Sequence, residues 1–317
     1  KASDLHLIQN YPPTIRVYGQ LVQLKIYTDF SPQDIMNFFL TYTSKEQQEN
    51  FALNKELDFG IRYGDYRFRA NAYQEKDSVA LSLRLIPSTI LSIEDLNLPA
   101  ILHTLATLQQ GFVLITVQTG QGKSTTMASV INEINTTRSA HIITIEDPIE
   151  YIYPKGNCVI SQREVKRDTL SFNKALRSIL REDPDVIVIG EMRDYKTMSI
   201  ALTLAETGHL VISTLHTNTA AQTIDRIIDV FPEEQQPQVR SQLSTVLRGV
   251  VCQRLIPRIE GTGRIVGYEM LFNNPAVASL IREGKTFQLD NVIQTSGEEN
   301  MVIFERSLKS LVLSGKI

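Results

Sequence analysis

The chain has few cysteines, no long apolar run and no excess of one charge. Its two cysteines, Cys158 and Cys252, lie far apart, which excludes a disulfide framework and a four-cysteine zinc site, so we expect no bound zinc. The apolar runs, such as residues 113–117 and 186–189, are far shorter than the roughly 20 residues of a membrane span. With no cleavable signal recognisable either, we expect a cytoplasmic protein that reaches a membrane only through a partner.

Basic and acidic residues are nearly balanced, with 32 Lys and Arg against 35 Asp and Glu, and 42% of the residues are hydrophobic. This composition excludes a disordered chain and a histone-like nucleic-acid binder. Neither half of the chain carries a block of like charge that would attract DNA or lipid, so we expect no nucleic-acid partner. The first residue is Lys1 rather than Met, and we expect the natural chain to be slightly longer at both ends.

The length of 317 residues predicts two domains, because a domain commonly has roughly 150 residues. Residues 1 to about 86 alternate apolar and polar side chains like a half-buried antiparallel sheet, with helices between, which predicts a small α+β domain. A linker-like stretch follows at residues 87–99, and we place the boundary of the domain and its linker at residue 95. The predicted strands are 14–18, 20–27, 66–73 and 79–86, and the predicted helices are 32–41 and 45–54.

Residues 96–317 alternate short apolar strands with helices, which indicates an α/β fold with a parallel sheet and ligands at the carboxyl ends of its strands. The predicted strands are 113–117, 141–146, 186–191 and 209–216. The predicted helices are 122–135, 171–182, 195–206 and 220–230, followed by a mostly helical tail at 233–250, 275–283 and 301–313.

A phosphate-binding loop is indicated where the first of these strands meets its helix. Gly120 and Gly122 allow backbone N–H groups to converge on phosphate, Lys123 supplies a cation, and the Ser124 hydroxyl can hold Mg²⁺. The candidate ATP-binding residues are Thr119, Gly120, Gln121, Gly122, Lys123, Ser124 and Thr125.

The loop departs from the P-loop pattern because Val117 stands where its first glycine belongs. If this position requires a positive φ, a β-branched residue costs about 1–2 kcal/mol. If the backbone is extended there, the cost is small.

Polar side chains also follow the later strands. Glu191 ends the strand at 186–191 and could orient Mg²⁺ or the attacking water. Three acidic residues, Glu146, Asp147 and Glu150, follow another strand, and such acids repel unless cations neutralise them. His216 ends a fourth strand. Each group could also be an ordinary solvated or structural feature, and only their common order along the chain favours a shared site.

Taken together, these four motifs resemble the bacterial ATPases of type II secretion and type IV pili, and among them the pilus retraction ATPases. The family has a Walker A loop, an Asp box, a Walker B box and a His box, which correspond here to residues 119–126, 146–150, 183–194 and 207–217. The likeness covers nearly the whole chain and implies a PAS-like N-terminal domain, which opens with a strand at residues 2–7, before a RecA-like core. Residues 276–284 are similar to the retraction signature, with three departures, and the missing zinc cysteines argue against the assembly ATPases.

The resemblance implies a homohexamer with ATP and Mg²⁺ bound between the small domain and the core, acting on an inner-membrane platform protein at the cytoplasmic face. It implies that Glu150 is the catalytic base, that Glu191 supports the metal and the water, and that His216 senses the γ-phosphate. It also implies arginines that reach the phosphates, and guanidinium groups suit phosphate geometry. The candidates are Arg67, Arg69, Arg84, Arg177, Arg181 and Arg193.

Three alternatives stay open at this point. Val117 motivates a scaffold that binds nucleotide with little hydrolysis. A pilus-assembly or type II secretion ATPase would share the motifs. A RecA-like motor on nucleic acid is the third, and the balanced charge argues against it.

Overall fold

The computed structural model describes residues 2–17, 20–64, 66–86, 89–117, 120–261 and 263–317. The chain folds into two compact units, Lys1–Thr89 and Ile90–Ile317. This division falls inside the linker expected from the sequence, whereas the domain boundary after residue 95 and the PAS-like character of the first domain stay predictions. None of the helices formed by the described residues is long and apolar enough to cross a membrane.

The first unit contains an antiparallel sheet. Its strands are β1 (Ala2–Leu7), β2 (Thr14–Val17), β3 (Gln20–Gln23), β4 (Glu56–Tyr63), β5 (Tyr66–Glu75) and β6 (Ser78–Ile86). Their order is β3-β2-β1-β6-β5-β4. Strand β4 was not predicted, and β3 ends at Gln23, four residues before the predicted end at Tyr27. The remaining predicted strands are confirmed to within a few residues.

Helices α1 (Pro32–Tyr42) and α2 (Lys45–Asn54) of the first unit follow the prediction closely. Each is capped by a serine whose hydroxyl accepts a hydrogen bond from the backbone N–H three residues on. The side chain at that later position accepts a hydrogen bond from the serine N–H in turn. These reciprocal bonds satisfy donors that helix N-termini leave free. The helices bury Phe39 and Phe51 in the core cluster of this unit.

The second unit contains a mostly parallel sheet. Its strands are β7 (Gly111–Thr116), β8 (His141–Glu146), β9 (Val159–Glu164), β10 (Val186–Ile189), β11 (Leu210–Leu215), β12 (Leu247–Pro257) and β13 (Arg264–Phe272). Their order is β13-β12-β7-β11-β10-β8-β9, and only the β12–β13 pair is antiparallel among the described strands. The predicted α/β fold with a parallel sheet is confirmed.

Helices cover the faces of this sheet. They are α3 (Leu102–Thr107), α4 (Lys123–Thr137), α5 (Phe172–Ile179), α6 (Tyr195–Glu206), α7 (Ala220–Asp229), α8 (Gln236–Val246), α9 (Pro275–Glu283), α10 (Leu289–Thr295) and α11 (Phe304–Leu313). Successive residues of a strand point to opposite faces, so Val113 and Ile115 of β7 join one core cluster while Phe112 and Leu114 join the other. The uninterrupted apolar runs seen in the sequence follow from this burial on both faces.

The predicted helical tail at 233–250 is wrong at its end, because β12 begins at Leu247. Helix α8 passes directly into this strand, with no glycine or proline between them. The strand is selected by tertiary pairing: β12 lies against β7 on one side and against β13 on the other. Its residues 249–253 are buried, so burial on both faces outweighs local helix preference.

The predicted helix at 171–182 is also too long. Helix α5 ends at Ile179, and the N–H of Arg181 donates to the carbonyl of Ser178 in a tighter turn. Arg177 therefore lies within α5, whereas Arg181, which the predicted helix would have placed one turn further on the same face, lies beyond its end.

Candidate active site

Four strand ends meet at one edge of the second sheet. Strands β7, β11, β10 and β8 are neighbours in that order and run in parallel. The segments that follow them carry Lys123, His216, Glu191 and Glu150 respectively. Since the carboxyl ends of parallel strands lie at the same edge, the topology brings together side chains that are up to 93 residues apart.

The loop after β7 turns into α4 through two glycines with positive φ, +79° at Gly120 and +85° at Gly122. Gly122 is the N-cap of α4, and no side chain caps this helix end. The first N–H groups of a helix lack internal acceptors and carry a partial positive charge, which suits an anion. Of the predicted ATP-binding residues, Gly120 to Thr125 form this loop and the first turn, while Thr119 lies outside the described residues.

A cavity of about 260 Å³ opens beside this helix end. Its walls include Lys123 and Ser124 from α4 and Glu150, Glu191 and Arg193 from the neighbouring strand ends. Sequence reasoning missed several other lining residues, namely Met127, Tyr151, Tyr153 and Phe172. The three aromatic residues carry no motif in the sequence, because only the folded chain shows that they face the cavity.

Glu191 contacts two basic side chains at the cavity, Arg193 and His216. Its two oxygens lie 3.0 Å from Arg193 Nη2 and 3.2 Å from His216 Nε2. Burial favours the protonated form of Glu191, but the hydrogen bond from Arg193 and the nearby positive charges outweigh it, so its pKa is lowered. Glu191 is therefore an anion at neutral pH and can attract a cation or orient water.

His216 lies between Lys123 and Glu191. Its Nε2 is 3.2 Å from Lys123 Nζ as well as 3.2 Å from Glu191 Oε1. An ammonium only donates, so Nε2 must accept from Lys123 or donate to Glu191, and it cannot do both. Burial lowers the pKa of Lys123, an effect that Glu191 and Glu150 partly oppose. An anion in the cavity would relieve this desolvated ammonium.

The acidic residues after β8 are separated in the structure. Glu146 is buried and accepts hydrogen bonds from Thr144 Oγ1 at 2.6 Å and Gln162 Nε2 at 3.3 Å. Burial raises the pKa of Glu146, and these bonds offset only part of that effect. Asp147 and Glu150 are exposed and line the cavity. All three acids line the cavity, and the burial of Glu146 reduces their mutual repulsion because it favours the uncharged form of that carboxyl group.

The candidate arginines do not form one group. Arg193 lines the cavity, whereas Arg177 and Arg181 are exposed residues outside its described lining. In the first unit, Arg69 of β5 lies opposite Arg84 of β6, and Arg84 Nε donates to Asp4 at 2.8 Å. Arg67, two residues from Arg69 on the same strand, lies opposite Ile86. A phosphate-contacting role for these arginines stays a prediction.

The family match decides where this arrangement belongs. Residues 65–279 match the family described as type II/IV secretion system protein. The chain belongs to this family. Compared with the twitching motility protein of Neisseria gonorrhoeae, it is 46% identical over 306 residues, covering 96% of this chain and 82% of the relative. Compared with the type IV pilus ATPase PilU of Pseudomonas aeruginosa, it is 41% identical over 316 residues, covering 99% of this chain and 82% of that protein.

A solved structure extends the comparison from sequence to fold. The pilus retraction motor PilT with bound ADP superposes with a TM-score of 0.93 at 45% identity, covering 100% of this chain and 90% of that one. The second unit thus has the ATPase fold of the type II/IV secretion family, and the chain is an ATPase that binds nucleotide.

The backbone at Val117 resolves the question that its sequence position raised. Val117 is not among the described residues with positive φ, and its N–H donates to the carbonyl of Leu215 at 3.3 Å, as a continuation of β7. Its side chain is only 1% exposed. A glycine at this position would relieve no backbone strain.

We predict that Val117→Gly leaves the dissociation constant for ADP within about twofold of the wild-type value, since the extended backbone needs no glycine. The variant should lose about 2–4 kcal/mol of stability, because it removes a buried side chain and gives the unfolded chain more conformational freedom to lose on folding. Isothermal titration with Mg²⁺ and ADP, with calorimetric unfolding, measures both. Tenfold tighter binding would show that the valine strains the loop.

Proposed function

We propose that this chain is a homohexameric ATPase that powers retraction of type IV pili, at the cytoplasmic face of the inner membrane. ATP hydrolysis changes the angle between its two units, and the motion acts on an inner-membrane platform protein that removes pilin subunits. The observation that carries the proposal is the cluster of Lys123, His216, Glu191 and Arg193 beside the uncapped start of α4. Relatives with names from twitching motility and pilus retraction support the choice of process.

In this proposal, Lys123 and the first N–H groups of α4 bind the phosphates. Ser124 and Glu191 would hold Mg²⁺, which would neutralise charge on the phosphates, and Glu191 would also orient water. Their donors fit this ion, because a hydroxyl and a carboxylate are the hard oxygen ligands that it prefers. The described residues contain no group of three or more His, Cys, Asp or Glu side chains able to hold a metal ion. Ser124 and Glu191 would therefore bind the ion together with the nucleotide rather than by themselves.

Glu150 is the proposed catalytic base, since it is an exposed carboxylate on the wall of the same cavity. His216 is the proposed sensor of the γ-phosphate. A phosphate oxygen that accepts a hydrogen bond from the Lys123 ammonium competes with His216 Nε2 for that donor. The imidazole is then free to donate to Glu191 or to the phosphate. The contact of His216 with Lys123 is therefore replaced when the phosphate arrives and restored when it leaves.

We predict that Lys123→Ala abolishes nucleotide binding, whereas Glu191→Gln and Glu150→Gln bind ATP but hydrolyse it at least about 100-fold more slowly, because they lose a charge or a base at the reacting water. Steady-state phosphate release by the purified protein, with fluorescence titration of nucleotide, separates these effects. Glu182→Gln is a matched control, since Glu182 pairs with Arg163 at 2.8 Å outside the cavity. Wild-type activity no higher than that of Glu191→Gln would refute the proposal.

The proposed homohexamer is tested by electron microscopy. Particles imaged with ATP should form six-fold rings.

The direction of pilus movement is tested in cells. We expect the source bacterium carrying Glu191→Gln to display pili that assemble but do not retract, because a retraction ATPase is not needed for polymerisation. Electron microscopy of surface pili and a twitching assay provide the readout, with Glu182→Gln as the control that retracts normally. Loss of surface pili in the Glu191→Gln strain would instead identify an assembly ATPase.

A further inference from the structure

Two glutamines connect the loop after β7 to strand β12. The Gln253 side chain on β12 donates from Nε2 to the backbone carbonyl of Gln121 at 2.9 Å. In return, the Gln121 side chain accepts a hydrogen bond from the N–H of Leu255, also on β12, at 2.7 Å. The loop is therefore bonded to the neighbouring strand by one side chain from each partner, in addition to its attachment to β7 and α4.

Gln253 is an unusual residue for its position. It is 2% exposed and follows the buried residues Val250, Val251 and Cys252. Both polar atoms of its amide are used, because Oε1 accepts from Thr126 Oγ1 at 2.8 Å. A buried amide without partners costs free energy, whereas a satisfied one fixes a single arrangement of its neighbours. Gln253 thus holds two points of the loop and helix, the carbonyl of residue 121 and the hydroxyl of residue 126.

The bond to the Gln121 carbonyl sets the direction of the next N–H group. In a planar trans peptide, the C=O of one residue and the N–H of the following residue point in opposite directions. Because Gln253 holds the carbonyl of Gln121 toward β12, the N–H of Gly122 points away from β12. Gly122 is also packed against this amide, since a Cβ at that position would lie 3.3 Å from Gln253 Nε2.

We propose that Gln253, assisted by Gln121, is a positioning residue that fixes the Gln121–Gly122 peptide and so sets the affinity of the loop for nucleotide phosphate. The proposal rests on the assignment of the Lys123 loop as the nucleotide site. Without the bond, this peptide can rotate and present a carbonyl oxygen to the phosphate instead of an N–H. Binding is then weakened by repulsion as well as by the lost donor.

The test is the dissociation constant for ADP with Mg²⁺, measured by fluorescence titration on Gln253→Met and Gln253→Glu. Methionine keeps the volume but removes both bonds, and we expect roughly tenfold weaker binding, in line with the loss of about one to two hydrogen bonds. Glutamate keeps the acceptor for Thr126 but places a carboxylate oxygen against the Gln121 carbonyl, so its effect should be larger. At saturating ATP, kcat should fall less than kcat/KM, because a positioning defect acts mainly on binding.

Asn273→Asp is the matched control. Asn273 donates from Nδ2 to the carbonyls of Ser244 and Leu247 at 2.9 and 3.0 Å, so the substitution also replaces an amide donor to backbone carbonyls by an acid. It should lower the melting temperature without changing ADP affinity. A merely structural role for Gln253 would give the same pattern in its own variants, a lower melting temperature with an unchanged dissociation constant, and that pattern would overturn the proposal.

Gln121→Met provides an independent arm, because Gln121 is partly exposed and its loss should not prevent folding. We expect ADP to bind several-fold more weakly to this variant. If the Gln253 variants do not fold, an unchanged dissociation constant for Gln121→Met overturns the proposal by itself. Failure of the wild-type protein to bind ADP would instead refute the nucleotide site, and is thereby distinguished from a defect of positioning.

Discussion

The in-register pairing of four parallel strands is the constraint on which the site depends. Thr116 pairs with Leu215, and Ile189 pairs with both Ser213 and Ile145. These ladders place the ends of β7, β11, β10 and β8 side by side, so each following segment starts at the same edge. A slip of one residue in any ladder would turn the side chains of that strand to the other face. Close packing of the two apolar clusters on either face disfavours such slips, because each buried side chain fits its own position. The position of the polar side chains is therefore a consequence of the apolar core.

The antiparallel strands β12 and β13 support the site from one side. Gln253 of β12 bonds the loop before α4, and Glu269 of β13 accepts from the N–H of Ala220, the first residue of α7, at 2.7 Å. Burial raises the pKa of Glu269, and a helix N-terminus is the environment that favours its charged form. Because α7 follows the segment that carries His216, the two strands contact the segments on both sides of the Lys123–His216 pair. Packing of the C-terminal helices against these strands is thereby linked to the site.

Much of this architecture is predictable from the sequence where local pattern and burial agree. Short apolar runs in the sequence predict the strands that lead to Lys123, Glu146, Glu191 and His216, and the helix after Gly122 is predicted as well. Prediction from the sequence fails where the pairing of strands determines the local structure. The segment Leu247–Val250 could extend α8, and only its place between β7 and β13 makes it a strand. Similarly, the sequence does not reveal which acid of residues 146–150 is buried, because the burial of Glu146 depends on the pairing of β8 with β9, whose Gln162 donates to its carboxylate. Gln253 carries no motif, and its role becomes visible only when β12 lies beside the loop.

The central claim is that phosphate binds at the Lys123 loop and displaces the contact between Lys123 and His216. A crystal structure of the protein with ADP and Mg²⁺ tests it most directly. We expect the β-phosphate within hydrogen-bond distance of Lys123 Nζ and of the N–H groups at the start of α4, with Ser124 beside the metal and His216 released from Lys123. ADP bound elsewhere on the second unit, with Lys123 Nζ still 3.2 Å from His216 Nε2, would contradict it.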